Sequence, residues 1–137
     1  MRRLTFIAAL TALLLAAGTS SGASRAPAFR ATLTTAGHRP RVLSTWKYSV
    51  RVTDPAGHPM AASITSQLVD PLGGVHPVEF DGTGHNPYVK NYRFFGNFCD
   101  SITWPKSSGV GVALTFRTVI VTAKGRKVLS YSVTPHS

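Results

Sequence analysis

The chain has 137 residues, with 15 lysines and arginines against 5 acidic residues and a formal net charge of +10. This length suits a single domain with one core, and the excess of positive charge favours anionic partners. The single cysteine excludes an intrachain disulfide, so the fold has to be held together by apolar packing.

The first 23 residues have the pattern of a secretory signal peptide. Arg2 and Arg3 precede an uncharged apolar run over residues 4–17, and residues 21–23 (Ser-Gly-Ala) supply the small side chains at a cleavage site. The apolar run is shorter than the roughly 20 residues of a membrane-spanning helix. We therefore predict cleavage after residue 23, a secreted protein located outside the cell or in the cell envelope, and no stable membrane anchor. The mature chain would have 137 − 23 = 114 residues and a charge of 10 − 2 = +8.

The first half of the mature chain reads as strands separated by turns. Residues 24–30 are predicted to be a flexible lead-in to a folded domain over residues 31–137. From Trp46 to Thr53 apolar and polar residues alternate, which places one face of a strand in the core. Asp54-Pro-Ala-Gly then predicts a tight turn, and alternation resumes from Met60 to Leu68. These patterns together predict a β-hairpin over residues 42–69.

Residues 70–109 are less regular. A turn at 70–74 precedes a short strand that Pro77 confines to a sheet edge. The aromatic-rich residues 91–99 are expected to pack part of the core. Because the loops in this stretch are long for a two-layer domain, we expect any functional loop to lie here.

The last part of the chain alternates again. Apolar residues recur at every second position from Val110 to Phe116, and residues 119–121 (Val-Ile-Val) break that phase, which predicts a bulge or burial on both faces. A turn at 123–126 leads to a last strand with Leu129, Tyr131 and Val133 facing the core. About seven short strands without an amphipathic helix predict an all-β antiparallel sandwich.

Residues 48–64 resemble a hairpin signature of bacterial immunoglobulin-like and transthyretin-like (carboxypeptidase regulatory-like) domains, Val-x-Val-x-Asp-x-x-Gly-x-Pro. Residues 119–125 also resemble the penultimate-strand hairpin of such sandwiches. The resemblance covers about a third of the mature chain and implies an immunoglobulin-like β-sandwich. In these families the domain usually serves binding, adhesion or spacing rather than catalysis.

The histidines are the residues most able to bind a metal. His58, His76 and His85 lie in predicted loops or at strand edges, and Met60 follows His58 closely. Imidazole and thioether ligands suit copper, so copper binding is the alternative function. Neither His-x-His nor Cys-x-x-Cys spacing occurs, and Met60 is expected to point inward. We therefore predict no metal site and no cofactor.

Three other features are candidate sites. The stretch from Tyr88 to Phe95 interleaves aromatic and basic residues. This pattern suits either stacking on a ligand or aromatic side chains in the core with cations at the surface, and we favour the second interpretation. Cys99 lies between Phe98 and Ile102, which predicts a buried thiol, with an intermolecular disulfide as the alternative. The carboxylates that could pair for hydrolysis are Asp70, Glu79, Asp81 and Asp100.

No nucleophile motif accompanies these carboxylates, so no catalytic residue is assigned and the protein is not expected to be an enzyme. The sequence predicts a secreted, non-catalytic binding or interaction module with a basic surface. Its expected partner is extracellular or in the envelope and anionic, and export makes nucleic acid an unsuitable partner.

Overall fold

The computed structural model of the chain describes residues 27–78 and 90–137. The predicted signal peptide, residues 24–26 and residues 79–89 lie outside the described residues. The described residues form an all-β structure with no helix. The strands are β1 Arg30–Thr35, β2 Thr45–Thr53, β3 Ala61–Val69, β4 Val75–Pro77, β5 Tyr92–Phe95, β6 Asn97–Thr103, β7 Leu114–Thr122 and β8 Gly125–Val133.

The strands form two antiparallel sheets. One has the order β1-β2-β6, and the other has the order β4-β3-β7-β8. The fifth strand of the second sheet is β5, which pairs with the first half of β3, on the same edge where β4 pairs with the second half. The predicted all-β antiparallel architecture is confirmed, with eight strands rather than about seven. The aromatic-rich residues 91–99, which were expected only to pack part of the core, contribute to two strands, β5 and β6, separated by Gly96 with a positive φ of 69°.

The apolar faces of the two sheets pack against each other. The alternation in β2 is confirmed, because Trp46, Tyr48, Val50 and Val52 are all at most 3% exposed. On the opposite sheet, the ring of Phe116 packs edge-on against Trp46 and Tyr48, with centroids 5.1 and 4.8 Å apart. This aromatic contact joins the two sheets at the centre of the core.

The predicted hairpin over residues 42–69 is wrong, although its turn is right. The N–H of Gly57 donates to the carbonyl of Asp54 at 3.1 Å, and Gly57 has the positive φ, 95°, that this turn needs. Beyond a single bridge beside the turn, β2 and β3 belong to different sheets. A turn motif specifies where the chain reverses, but it does not specify whether the two strands pair edge to edge.

The backbone of Gly96 separates β2 from β3. Its carbonyl accepts a hydrogen bond from the N–H of Val52 at 2.7 Å, and its N–H donates to the carbonyl of Met60 at 2.9 Å. β6 then continues along the edge of β2. Each strand has one apolar face, so packing the two faces together buries both, whereas a side-by-side hairpin would leave them on one open sheet.

Strand β7 begins later and runs more regularly than predicted. Val110 and Val112 are 52% and 39% exposed and precede the strand. The expected bulge or two-sided burial at residues 119–121 is wrong, because β7 pairs without interruption with β3 and β8. Thr118 faces the core between Phe116 and Ile120. Because this inward residue is polar, the alternation of apolar and polar residues in the sequence is interrupted although the strand itself is regular.

Both ends of the described chain are held by hydrogen bonds to distant parts of the fold. Phe29 is buried in the core, and its carbonyl accepts a hydrogen bond from Lys127 Nζ at 2.6 Å. Beyond β8, residues 134–136 run parallel to residues 38–42: His38 and Pro40 accept from the N–H groups of Thr134 and His136. The first described residues and the segment 38–42 therefore both contact the last part of the chain.

Candidate binding surface

His58 belongs to the turn that follows β2. Its backbone N–H donates to Asp54 Oδ1 at 2.9 Å, and its ring Nδ1 lies 3.0 Å from Asp54 Oδ2. The hydrogen bond from the His58 backbone is the main reason that the pKa of Asp54 lies below its ordinary value. This pair closes its own turn and is exposed.

His76 lies on β4, directly after the turn at the other end of β3. Its Nε2 lies 2.9 Å from Asp70 Oδ2, while Asp70 Oδ1 accepts from the N–H groups of Leu72 and Gly74. The side-chain hydrogen bond from His76 is the main cause that lowers the pKa of Asp70. Asp70 is therefore occupied in stabilising the turn between β3 and β4.

The residues of the copper hypothesis do not come together. His58 precedes Ala61 at the start of β3, whereas His76 lies opposite Leu68 near its end, so the two histidines are about 20 Å or more apart along the sandwich. Met60 is half-buried and packs against the core, and His85 lies outside the described residues. Among residues 27–78 and 90–137, no three histidine, cysteine or acidic side chains cluster as metal ligands would.

Asp100 and Cys99 lie on opposite faces of β6. Asp100 accepts a hydrogen bond from the hydroxyl of Tyr48 at 3.3 Å, at the margin of the core. The predicted burial of Cys99 is wrong, because Phe98 takes the inward position and strand alternation turns the next side chain outward. Glu79 and Asp81, the other two carboxylates considered for hydrolysis, lie outside the described residues.

The aromatic-basic stretch is divided between the two faces of its strands. Tyr92 and Phe94 pack against the core, as the favoured interpretation predicts, while Arg93 and Phe95 point outward. Phe95 is 67% exposed and thus departs from the prediction of a core aromatic. Lys90 is exposed, and Tyr88 lies outside the described residues.

The outer face of the five-stranded sheet combines arginines with valines. One cross-strand row runs from Arg93 on β5 through Ser63 and Val121 to Arg126 on β8. The next row pairs Val119 with Val128, and the row beyond it contains Arg117. We call this surface the arginine–valine face; its members are Arg93, Arg117, Arg126, Val119, Val121 and Val128.

The arginines are spaced around the valines. Arg93 and Arg126 are separated by three strand spacings, so their Cα atoms lie about 14 Å apart. Val121 and Val128 between them are 40% and 42% exposed. Arg117 is held in place by Gln67, whose Oε1 accepts from both Nε and Nη2 at 3.1 and 2.8 Å. The face therefore has an apolar centre and a positive margin.

Carboxylates are absent from this face in the described part of the chain. Asp54 and Asp70 lie in the turns at the two ends of β3, and Asp100 lies on the other sheet. The ion pairs found in the described segments are the two Asp–His pairs. None of the three arginines therefore forms an ion pair with a carboxylate of the described residues. An anionic group that approaches this face is attracted by the three arginines.

The sequence predictions missed this surface for one reason. The run Val-Ile-Val at residues 119–121 predicts a break in phase, and this prediction assigns neither Val119 nor Val121 to an outer face. Counting outward positions from Arg117 gives Arg117, Val119 and Val121 on one side, and the same count on β8 gives Arg126 and Val128. The signal was present in the alternation of both strands.

Comparisons with known proteins show similarity of fold. No protein-family model matches the chain, and no curated protein matches it. A DUF4785 family protein from Legionella pneumophila superposes with a TM-score of 0.57 at 13% identity, over 82% of this chain and 30% of that one. This likeness shows a shared fold, and this chain spans less than a third of that protein.

Two further solved structures superpose less well. The adhesin InvE of Yersinia pseudotuberculosis has a TM-score of 0.46 at 16% identity, over 77% of this chain and 32% of that one. A domain of the outer membrane lipoprotein Omp28 from Porphyromonas gingivalis has a TM-score of 0.40 at 10% identity, over 81% of this chain and all of that one.

Proposed function

We propose that the chain is a secreted, immunoglobulin-like, non-catalytic binding module whose arginine–valine face binds an acidic protein partner outside the cell or in the envelope. The observation that carries the proposal is the composition of this face. Three arginines surround exposed valines, and no carboxylate of the described residues lies among them.

An acidic protein fits this face better than a purely ionic polymer does. Protein interfaces commonly have an apolar centre, are enriched in arginine and place their polar groups at the rim. Val121 and Val128 would be buried against apolar side chains of the partner, and Arg93 and Arg126 would meet its carboxylates. Arginine is suited to this because its planar fork binds a carboxylate through two hydrogen bonds.

The fold and the N-terminal sequence support the remaining parts of the proposal. The sheet orders β1-β2-β6 and β3-β7-β8 correspond to strands A-B-E and C-F-G of an immunoglobulin sandwich, which supports the immunoglobulin-like assignment. The signal-peptide pattern of residues 1–23 supports export. A scaffold of this kind most often presents surfaces to partners, although fold alone does not fix function.

The proposal is tested with two double variants that remove equal charge. Arg93→Gln/Arg126→Gln alters the arginine–valine face, and Lys47→Gln/Arg51→Gln alters the outer face of the other sheet, where both residues are exposed. Each variant is passed over immobilised poly-L-glutamate and then mixed with envelope extract at low and high salt. We expect the first variant to elute at clearly lower salt than the second and to lose capture of an acidic envelope protein. Equal elution of both variants would reject the arginine–valine face as the site.

A further inference from the structure

The outer face of the three-stranded sheet is a second positively charged surface. Lys47 and Arg51 are exposed on its central strand, β2, where they alternate with buried residues, and Arg30 is exposed on β1. This surface lies on the opposite side of the sandwich from the arginine–valine face. We call it the hydroxyl–cation face; its members are Arg30, Thr34, Lys47, Ser49, Arg51 and Ser101.

Hydroxyl groups lie between and beside the cations. Ser49 lies between Lys47 and Arg51 on β2, and Thr34 on β1 is directly opposite it. Ser101 on β6 is directly opposite Lys47. Directly opposite side chains have Cβ atoms about 4.5–5.5 Å apart, so a hydroxyl and a neighbouring cation can contact the same ligand group.

Part of this face is a shallow trough with a volume of about 570 Å³. Its lining includes Lys47, Cys99 and the three hydroxyl groups of the face. Apart from Cys99, the outward positions of the three strands carry only polar side chains, with no valine, leucine or aromatic residue among them. The face therefore offers hydrogen-bond donors and positive charge, but no apolar centre.

No carboxylate of the described residues compensates this positive charge. The ion pairs within residues 27–78 and 90–137 are formed by Asp54 and Asp70, which lie in turns of the other sheet. Asp100 also borders the trough, but strand alternation turns its side chain to the opposite face of β6, where it accepts from the Tyr48 hydroxyl. The charge of this face is thus complementary to an anion.

The spacing of the cations favours a row of anionic groups over a single anion. Lys47 and Arg51 are four residues apart on one strand, so their Cα atoms are about 13 Å apart. A single phosphate would have to draw both side chains together over Ser49, whereas a polymer with repeated charges contacts each side chain where it lies. Arg30 and Arg51 are diagonal neighbours across β1 and β2, so an anion between them also relieves their repulsion.

The composition of the face favours phosphate as the anionic group. A phosphate has several acceptor oxygens for hydroxyl donors, and both lysine and arginine bind it well. Because no outward aromatic side chain is present on β1, β2 or β6, these strands have nothing on which the bases of a single-stranded nucleic acid could stack. The absence of outward valines and leucines from the same strands makes a protein with an apolar interface a poor match.

We propose that the hydroxyl–cation face binds a linear polymer whose non-aromatic backbone carries phosphate groups. The polymer runs along β2, with one phosphate at Lys47 and another at the pair of Arg30 and Arg51. The Ser49 and Thr34 hydroxyls donate hydrogen bonds to the chain between them. This inference goes beyond the proposed protein partner, because the two faces share no residue.

The two double variants that test the arginine–valine face also test this one, with long-chain sodium polyphosphate as the probe. We expect Lys47→Gln/Arg51→Gln to bind polyphosphate about tenfold more weakly than the wild type. The slope of log Kd against log salt should become shallower by roughly 1.4, because two phosphate contacts are lost. Arg93→Gln/Arg126→Gln should stay within about twofold of the wild type, because its charges lie across the sandwich and are screened by salt.

Equal weakening by both double variants, or no weakening by Lys47→Gln/Arg51→Gln, would overturn the inference. Poly-L-glutamate should rank the two variants in the opposite order, since it tests the other face. Either proposal can therefore fail while the other stands.

Cys99 provides a measurement of where the polymer lies. It is the only cysteine of the chain, is exposed and lines the trough. We expect saturating polyphosphate to slow the alkylation of Cys99 by N-ethylmaleimide several-fold, and orthophosphate at the same phosphate concentration to leave the rate unchanged. An unchanged rate with polyphosphate, equal protection by orthophosphate, or tighter binding of oligothymidylate than of polyphosphate would overturn the proposal.

Discussion

Gly96 lies against Pro59 so closely that a β-carbon at position 96 would come within 2.7 Å of the Pro59 Cβ. The two residues meet where the connection between β2 and β3 passes the junction of β5 and β6. Gly96 also has a positive φ of 69° and is bonded through both of its backbone polar groups to Val52 and Met60. This contact fixes the position at which the chain moves from one sheet to the other.

Gly96→Ala is therefore expected to lower the free energy of unfolding by about 2–4 kcal/mol, because it combines left-handed strain with steric overlap. Gly57→Ala is the matched control: Gly57 also has a positive φ, but a β-carbon there would meet nothing within 4 Å. We expect the control to lose only about 1–2 kcal/mol. Urea unfolding of the two variants measures the difference, and equal losses would refute the overlap.

Two phenylalanines on opposite faces of the five-stranded sheet should respond very differently to truncation. Phe116 is fully buried, so Phe116→Ala is expected to cost about 3–5 kcal/mol of stability. Phe95 is 67% exposed, and Phe95→Ala is expected to change stability by less than about 0.5 kcal/mol. Thermal or urea unfolding distinguishes them, and a large loss for Phe95→Ala would place that ring in the core after all.

Two threonines on the inner face of β7 should respond with opposite sign. Thr118 is fully buried, and its hydroxyl has no hydrogen-bond partner among the described residues, so Thr118→Val is expected to stabilise the protein by about 1 kcal/mol. The Thr122 hydroxyl instead accepts from Lys124 N–H and donates to the Gly125 carbonyl. Thr122→Val should therefore destabilise by about 1 kcal/mol. Destabilisation by Thr118→Val would show that its hydroxyl is satisfied in solution.

The Asp70 turn should make stability depend on pH. Its hydrogen bond from His76 lowers the pKa of Asp70 below the ordinary value of 3.8. Since the folded state holds the proton less tightly than the unfolded state, the contribution is fully present above pH 3.8 and is lost as pH falls through the lowered pKa. We expect Asp70→Asn to be less stable than the wild type at neutral pH and to converge with it in acid. A difference in urea midpoint that stays constant from pH 7 to pH 2 would contradict this role.

Local patterns in the sequence predict local structure well in this protein. The alternation from Trp46 to Val52 predicts the buried face of β2, and Asp54 to Gly57 predicts its turn, because both depend only on neighbouring residues. The pairing of strands depends on contacts between distant residues. The false hairpin therefore arose where Gly96, from a later part of the chain, takes the edge of β2.

The candidate surface was less predictable than the fold. Arg93 and Arg126 are 33 positions apart in the sequence and share a row only because β3 and β7 lie between them. A periodic pattern identifies the outward side of a strand, but it does not identify the neighbours that share that side.

The parallel pairing of residues 134–136 with residues 38–42 has a mechanical consequence. A force that pulls the two ends of the chain apart acts along this pairing in opposite directions. The hydrogen bonds of His38, Pro40 and His136 would then be sheared together rather than opened one after another. The domain is thus arranged to resist tension between its ends until this short pairing breaks as a unit.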